Sequence, residues 1–228
     1  MTTHIAKFHR LSGAFTGALV AVWLFAGSVF VVAADAKQAG GGEEAVAVVD
    51  VSPHDVVEKV TSDLMTVVSG GQEALKTNPD KYFQDVREIM ESSVDFKYIA
   101  RNVMGAKYWK TASEPQKTQF IEVFTSGMVE TYAKGMANFA DYEISVQKPA
   151  EAVGEKRKVE VIQKFKGPEG VNRVSYTMGK HRSGHWKLIN VVLDGVNLGK
   201  TLRAQFSQSV TESKGDLDAA IAGWAWDS

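Results

Sequence analysis

The hydrophobic period of this chain changes once, near residue 142, and that change limits the fold more than any other feature. Before it, apolar residues recur at helical spacing. Ser52-Pro53 supplies a capping residue followed by the residue favoured at the first helical position. Val56, Val60, Leu64, Val67 and Val68 then form one stripe, closed by Gly70-Gly71. Asn78-Pro79 repeats the start signal for a second helix with Tyr82, Phe83, Val86, Ile89 and Met90. Asp95 opens a shorter third helix carrying Phe96, Ile99 and Val103, which Gly105 terminates. Ser113-Glu114-Pro115-Gln116 pairs a cap with Gln at the third helical position, so a long helix starts there and shows Phe120, Phe124, Met128 and Tyr132 at every fourth place.

After residue 142 the spacing is that of strands. Segments 142–147, 158–166, 171–178 and 184–193 read as extended, with a turn at Lys166-Gly167-Pro168-Glu169-Gly170 between two of them. Val174, Tyr176 and Met178 alternate with Ser175 and Thr177, the pattern of a sheet with one apolar face. Helical segments at 198–210 and 216–226 close the chain. With no internal repeat and no true linker between the halves, the expected architecture is one α+β domain over residues 52–228. In it, a helical part packs on a four-stranded antiparallel sheet, followed by C-terminal helices.

The N-terminus obeys different rules. Residues 1–34 hold Lys7 and Arg10 near the start, no acidic residue, and an uncharged run ending in Val32-Ala33-Ala34, the anatomy of a secretory signal peptide. The alternative is an uncleaved membrane anchor, since about 20 apolar residues cross a bilayer. Either way the remainder is expected to be exported to a bacterial periplasm. Residues 35–51, with Gly40-Gly41-Gly42 and two glutamates, read as a flexible leader: a phosphate-binding glycine loop needs a strand before it and a helix N-terminus after it. Past residue 34 the chain holds 24 basic and 27 acidic residues, a balance that argues against a nucleic-acid track. The absence of cysteine excludes disulfide scaffolds, thiolate metal sites and cysteine nucleophiles.

Catalytic patterns are missing as well. Thr125-Ser126-Gly127 lacks the first glycine of a nucleophile elbow and lies inside the long helix. His181 and His185 flank a basic turn and fit a solvated hairpin tip, so neither a metal nor another cofactor is expected. Asp95 and Asp194-Gly195 fit a helix cap and a turn. Charge divides along the chain: residues 35–150 carry 12 basic and 18 acidic groups, residues 151–214 carry 12 and 6. The basic sheet half is either a solvated strand face or a surface for anionic headgroups or an acidic partner. Seven Phe, six Tyr, six Met and four Trp past residue 34 fit a solid core or an adaptable apolar pocket equally well.

The order of several short motifs is more specific. Asp95-Phe96, Ile99-Ala100-Arg101, Gly105, Tyr108-Trp109, Pro115-Gln116, Phe120, Phe124 and Tyr132 lie in the first half. Val174-Ser175-Tyr176, Trp186-Lys187-Leu188-Ile189-Asn190-Val191, Asp194-Gly195-Val196-Asn197-Leu198, Arg203 and Gln205-Phe206 follow in the second. From about residue 52 to 222 this resembles the MlaC, or toluene-tolerance, family of periplasmic phospholipid carriers. Asn190 stands where the family pattern leads one to expect aspartate, Asn197 where it leads one to expect serine, and the Trp224-Ala225-Trp226 tail departs from it.

The resemblance implies a monomeric carrier that binds and releases phospholipid without bond chemistry and maintains outer-membrane lipid asymmetry. Its partners would be an inner-membrane ABC transporter complex with a lipid-binding ring and an outer-membrane lipoprotein associated with a porin. Two acyl chains of about 15 methylenes each correspond to a gross ~24 kcal/mol at about 0.8 kcal/mol per methylene, so such cargo needs no charged anchor. From the facing of the elements, the expected slot between sheet and helices is lined by Met104, Phe120, Phe124, Met128, Val161, Tyr176, Leu188 and Val192. Two other readings remain open at this point. One is a small enzyme on a cone-shaped α+β scaffold using Asp95 or Asp141 as a base on an apolar substrate. The other is an adaptor held at the membrane by an uncleaved N-terminal helix.

Overall fold

The computed structural model describes residues 51–136 and 142–224. Among these the order is α1 (Pro53–Val68), α2 (Gly71–Thr77), α3 (Pro79–Ser93), α4 (Phe96–Thr111), α5 (Glu114–Met136), β1 (Glu143–Val146), β2 (Lys158–Gly167), β3 (Gly170–Lys180), β4 (Trp186–Leu193), β5 (Val196–Asn197), α6 (Leu198–Glu212) and α7 (Leu217–Ala222). The helix starts are chemical. Ser52 Oγ accepts from the Asp55 N–H while Asp55 Oδ2 accepts from the Ser52 N–H, each at 3.1 Å. Asp95 Oδ1 accepts from Tyr98 N–H at 2.9 Å, and Ser113 and Gln116 satisfy each other's N–H groups at 3.3 and 2.9 Å. Caps of this kind each contribute about 1 kcal/mol and set the register of the stripe that follows.

The structure adds two helical stretches that the sequence signals do not mark. Gly70-Gly71 does stop the first helix, but Gly71 immediately begins the short α2, where an added Cβ would stand 3.0 Å from the Tyr82 hydroxyl. Gly105 interrupts its helix as expected, itself non-helical at φ 78°, ψ 156°, and a second helical stretch continues from this kink to Thr111 within α4. Beside the kink, Arg203 of α6 donates from Nε to the Asn102 carbonyl at 2.5 Å, joining α6 to the turn before the bend. That backbone region is essentially reserved for glycine. Because an added Cβ would meet only the Arg203 side chain, 3.7 Å away, backbone strain alone decides the effect of G105A. The substitution is expected to cost roughly 1–3 kcal/mol in urea unfolding; an unchanged midpoint would show that the kink is not required.

The strands form one antiparallel meander in the order β1-β2-β3-β4-β5. Among the described residues the sheet therefore has five strands and not four. The extra one, β5, is two residues long and pairs Val196 with Leu193 and Asn197 with Val192, too short to show any period in the sequence. It is set by the turn before it: Asp194 and Gly195 take φ 45° and 85°, as a tight primed hairpin requires, and Asp194 Oδ1 accepts from the Arg173 N–H at 2.9 Å. The β3–β4 ladder contains a bulge: Thr177 pairs with Asn190 but Met178 with Leu188, leaving Ile189 unpaired.

One face of β2 and β3 presents Val161, Gln163, Phe165, Val174, Tyr176 and Met178, all buried. Against the sheet pack α1 on β1 and β2, α3 and α4 on β4, and α6 on β4 and β5. α5 lies across α3 and α4, with α7 against it. The core is the layer between the sheet and these helices.

Candidate functional site

Two groups of side chains stand out in the core. The first is aromatic and joins three helices, α4, α5 and α6, with the segment after α7: the rings of Phe120 and Phe206 stand 4.6 Å apart, and Phe120 stacks on Trp224 at 5.1 Å with 10° between planes. Phe124 continues the cluster to Trp224 at 6.2 Å and edge-on to Phe96 at 6.5 Å. Tyr108, across the kink in α4, meets Phe206 edge-on at 6.1 Å.

The second group is polar and lies between α1 and the sheet. Tyr176 donates to Gln163 Oε1 at 3.0 Å, Gln163 Nε2 donates to Thr61 Oγ1 at 3.0 Å, and Thr61 donates to the Val57 carbonyl at 2.6 Å. Gln163 is wholly buried, at 0% exposure. Around this string stand Tyr82, whose hydroxyl donates to the Ala133 carbonyl at 2.9 Å, and Tyr132 of α5. Burial pushes the Tyr82 phenol up to about 12. It pushes Tyr132 and Tyr176 well above the ordinary tyrosine range, Tyr132 further through the neighbouring phenols of Tyr176 and Tyr82. All three are neutral hydroxyls over the physiological range.

Of the residues expected on the slot wall, Met104, Phe120, Phe124, Val161 and Tyr176 are fully buried, and Met128 and Leu188 are half-buried against the same core. Phe120 and Phe124 meet in the aromatic cluster, while Val161 and Tyr176 are direct cross-strand partners. Val192 is the exception. It pairs with Ser175, so it lies on the opposite face from Tyr176 and Met178. The cause is the bulge: counting by twos from Leu188 reaches Val192, but the extra residue Ile189 inverts the parity and brings Val191 and Leu193 to the core face instead.

Sequence reasoning missed Gln163 and Trp224. Gln163 carried a signal, because the alternation of β2 places it between Val161 and Phe165 on the apolar side. Trp224 carried none, since it follows the last turn of α7 and reaches Phe120 only through the tertiary fold. Asp95 is spent as the cap of α4, and Asp141 lies outside the described residues. Among the described residues no group of three or more His, Cys, Asp or Glu side chains is placed to hold a metal ion. Part of the basic sheet half lies at one end, where the Lys180 N–H donates to the Arg157 carbonyl at 2.9 Å. Lys156, Arg157 and Lys158 thereby lie beside Lys180 and the His181–His185 turn.

The family model described as MlaC protein matches residues 58–225, from within α1 to just beyond Trp224. The chain belongs to the MlaC family. Within it, the chain is 33% identical over 175 residues to the toluene tolerance protein ttg2D of Pseudomonas putida, covering 76% of this chain and 80% of that one. It is 22% identical over 156 residues to the intermembrane phospholipid transport system binding protein MlaC of Haemophilus influenzae, covering 67% and 72%. Among solved structures it resembles a phospholipid-binding protein from Ralstonia solanacearum determined in complex with a phospholipid. The TM-score is 0.65 at 23% identity, over 74% of this chain and 92% of that one. The MlaC-type fold therefore extends over nearly all of a structure solved with its lipid.

Proposed function

We propose that this chain is a periplasmic phospholipid carrier. Membership of the MlaC family across residues 58–225 carries the reading, and the fold shared with a phospholipid-bound neighbour supports it. In this reading residues 1–34 are a signal peptide, 35–51 a leader and 52–228 the lipid-binding domain. The soluble part shuttles lipid between an inner-membrane ABC transporter complex with a lipid-binding ring and an outer-membrane lipoprotein–porin complex.

The acyl chains enter between sheet and helices, parting Phe120, Phe124, Met104 and Met128 on one side from Val161, Tyr176, Leu188 and Val191 on the other. Aromatic rings and thioethers suit this, because they repack at low cost and exchange one apolar contact for another. The headgroup stays at solvent. Escape of both tails into water is very slow at about 0.8 kcal/mol per methylene, so release requires a partner that opens the layer. Native mass spectrometry of the purified exported protein tests this: one bound diacyl phospholipid per chain is expected, together with uptake from vesicles by delipidated protein. Absence of both would remove the carrier reading.

A further inference from the structure

The buried polar string is unexplained by a purely apolar slot. A glutamine in a core position costs free energy unless its amide is bonded, and leucine or methionine would continue the Val161-x-x-x-Phe165 face without that cost. The string's three side chains come from three elements, Thr61 on α1, Gln163 on β2 and Tyr176 on β3, so it spans the wall into which acyl chains are placed above.

Its chemistry matches one part of a phospholipid. The ester linkages to glycerol present oxygens that accept hydrogen bonds and none that donates. The string is rich in donors: the Tyr176 hydroxyl, held protonated by burial, and an amide of which one N–H serves Thr61 and which carries a second. In the closed arrangement these groups satisfy one another, and the final proton ends on the Val57 carbonyl of α1. When a lipid parts α1 from the sheet, those donors need new acceptors at the depth where the apolar walls of Val161 and Phe165 continue on either side. Ester carbonyls supply them, so loading leaves no buried polar group unpaired.

We propose that Gln163, with Tyr176 and Thr61, is a hydrogen-bonding seat for the glycerol ester groups of the bound lipid. This rests on the carrier reading and makes the protein selective for ester-linked over ether-linked lipid. The test offers delipidated protein equimolar mixed vesicles of a diacyl phosphatidylglycerol and its dialkyl ether analogue with the same chains, and reads the bound ratio by native mass spectrometry. Wild-type protein is expected to favour the ester roughly three- to tenfold, the size of one or two net hydrogen bonds. Gln163→Met, close in length and apolar, is expected to bring the ratio near one. Tyr176→Phe keeps the ring and its packing and is expected to lower the ratio part of the way, so it decides the matter should Gln163→Met not fold. Equal loading of both lipids by wild-type protein, or an ester preference undiminished in the variants, overturns the seat and leaves the carrier intact. Loading of neither lipid overturns both.

Discussion

Above about pH 10 the protein is expected to lose stability as the pH rises and to unfold cooperatively. In the unfolded chain tyrosine ionises near 10. Tyr132 and Tyr176 hold their protons well above that, first of all because burial excludes the phenolate. Their folded values are raised, so the contribution to stability is complete below pH 10 and is lost as the pH climbs towards the folded values. Each phenol then lowers stability by about 1.4 kcal/mol per pH unit. Two such groups act together in this window, and the whole stability of many domains is only about 5–15 kcal/mol. Tyr82, raised to about 12, adds a smaller share in the same window. Circular dichroism and phenolate absorbance followed together against pH check this, the last phenolate step, that of the buried tyrosines, being expected to coincide with unfolding. Tyr176→Phe should shift the transition to higher pH. Ionisation of all six tyrosines with the fold still intact would contradict the burial of these hydroxyls.

The second large effect is expected from Phe120→Ala. Phe120 is fully buried and its ring contacts Phe124, Phe206 and Trp224, so its removal loosens α5, α6 and the segment after α7 together. Truncations of this kind cost about 3–5 kcal/mol, through lost transfer free energy and a cavity that closes only in part. For a domain of this size that is a fall of about 10–15 °C in Tm by calorimetry. The same measurement on lipid-loaded protein adds a contrast. An acyl chain lying against Phe120 fills part of the cavity, so the loaded variant should lose less than the free one. Equal losses in both states would place the lipid away from this cluster.

Much of the fold was legible because its signals are local. The caps at Ser52, Asn78, Asp95 and Ser113 are single-residue chemistry, and each starts a helix where expected. The alternation of β2 and β3 identified the core face for the same reason, since the pleat imposes a period of two wherever one side is buried. What escaped the sequence was set by geometry between elements. The helical stretch beyond Gly105 is one such feature, and Arg203, 98 positions after that glycine, bonds the Asn102 carbonyl in the turn before the kink. Phe120 and Phe124 were legible as apolar by spacing, but their packing on Phe206 and Trp224 follows from how α6 and α7 return over α5. Gln163 was visible as a polar residue on an apolar face; its partners Thr61 and Tyr176, which give it meaning, were not.

The bulge at Ile189 divides β4 into two reading frames. Up to Leu188 the even positions face the core, and from Val191 onward the odd ones do. Variation in the two halves of this one strand therefore obeys opposite rules, and a polar residue tolerated at position 190 would be costly at 188 or 191. The inversion also confines the damage of a one-residue insertion or deletion. A length change at the bulge can be absorbed by the already unpaired residue, whereas the same change inside β3 would turn Val174, Tyr176 and Met178 away from the helices at once.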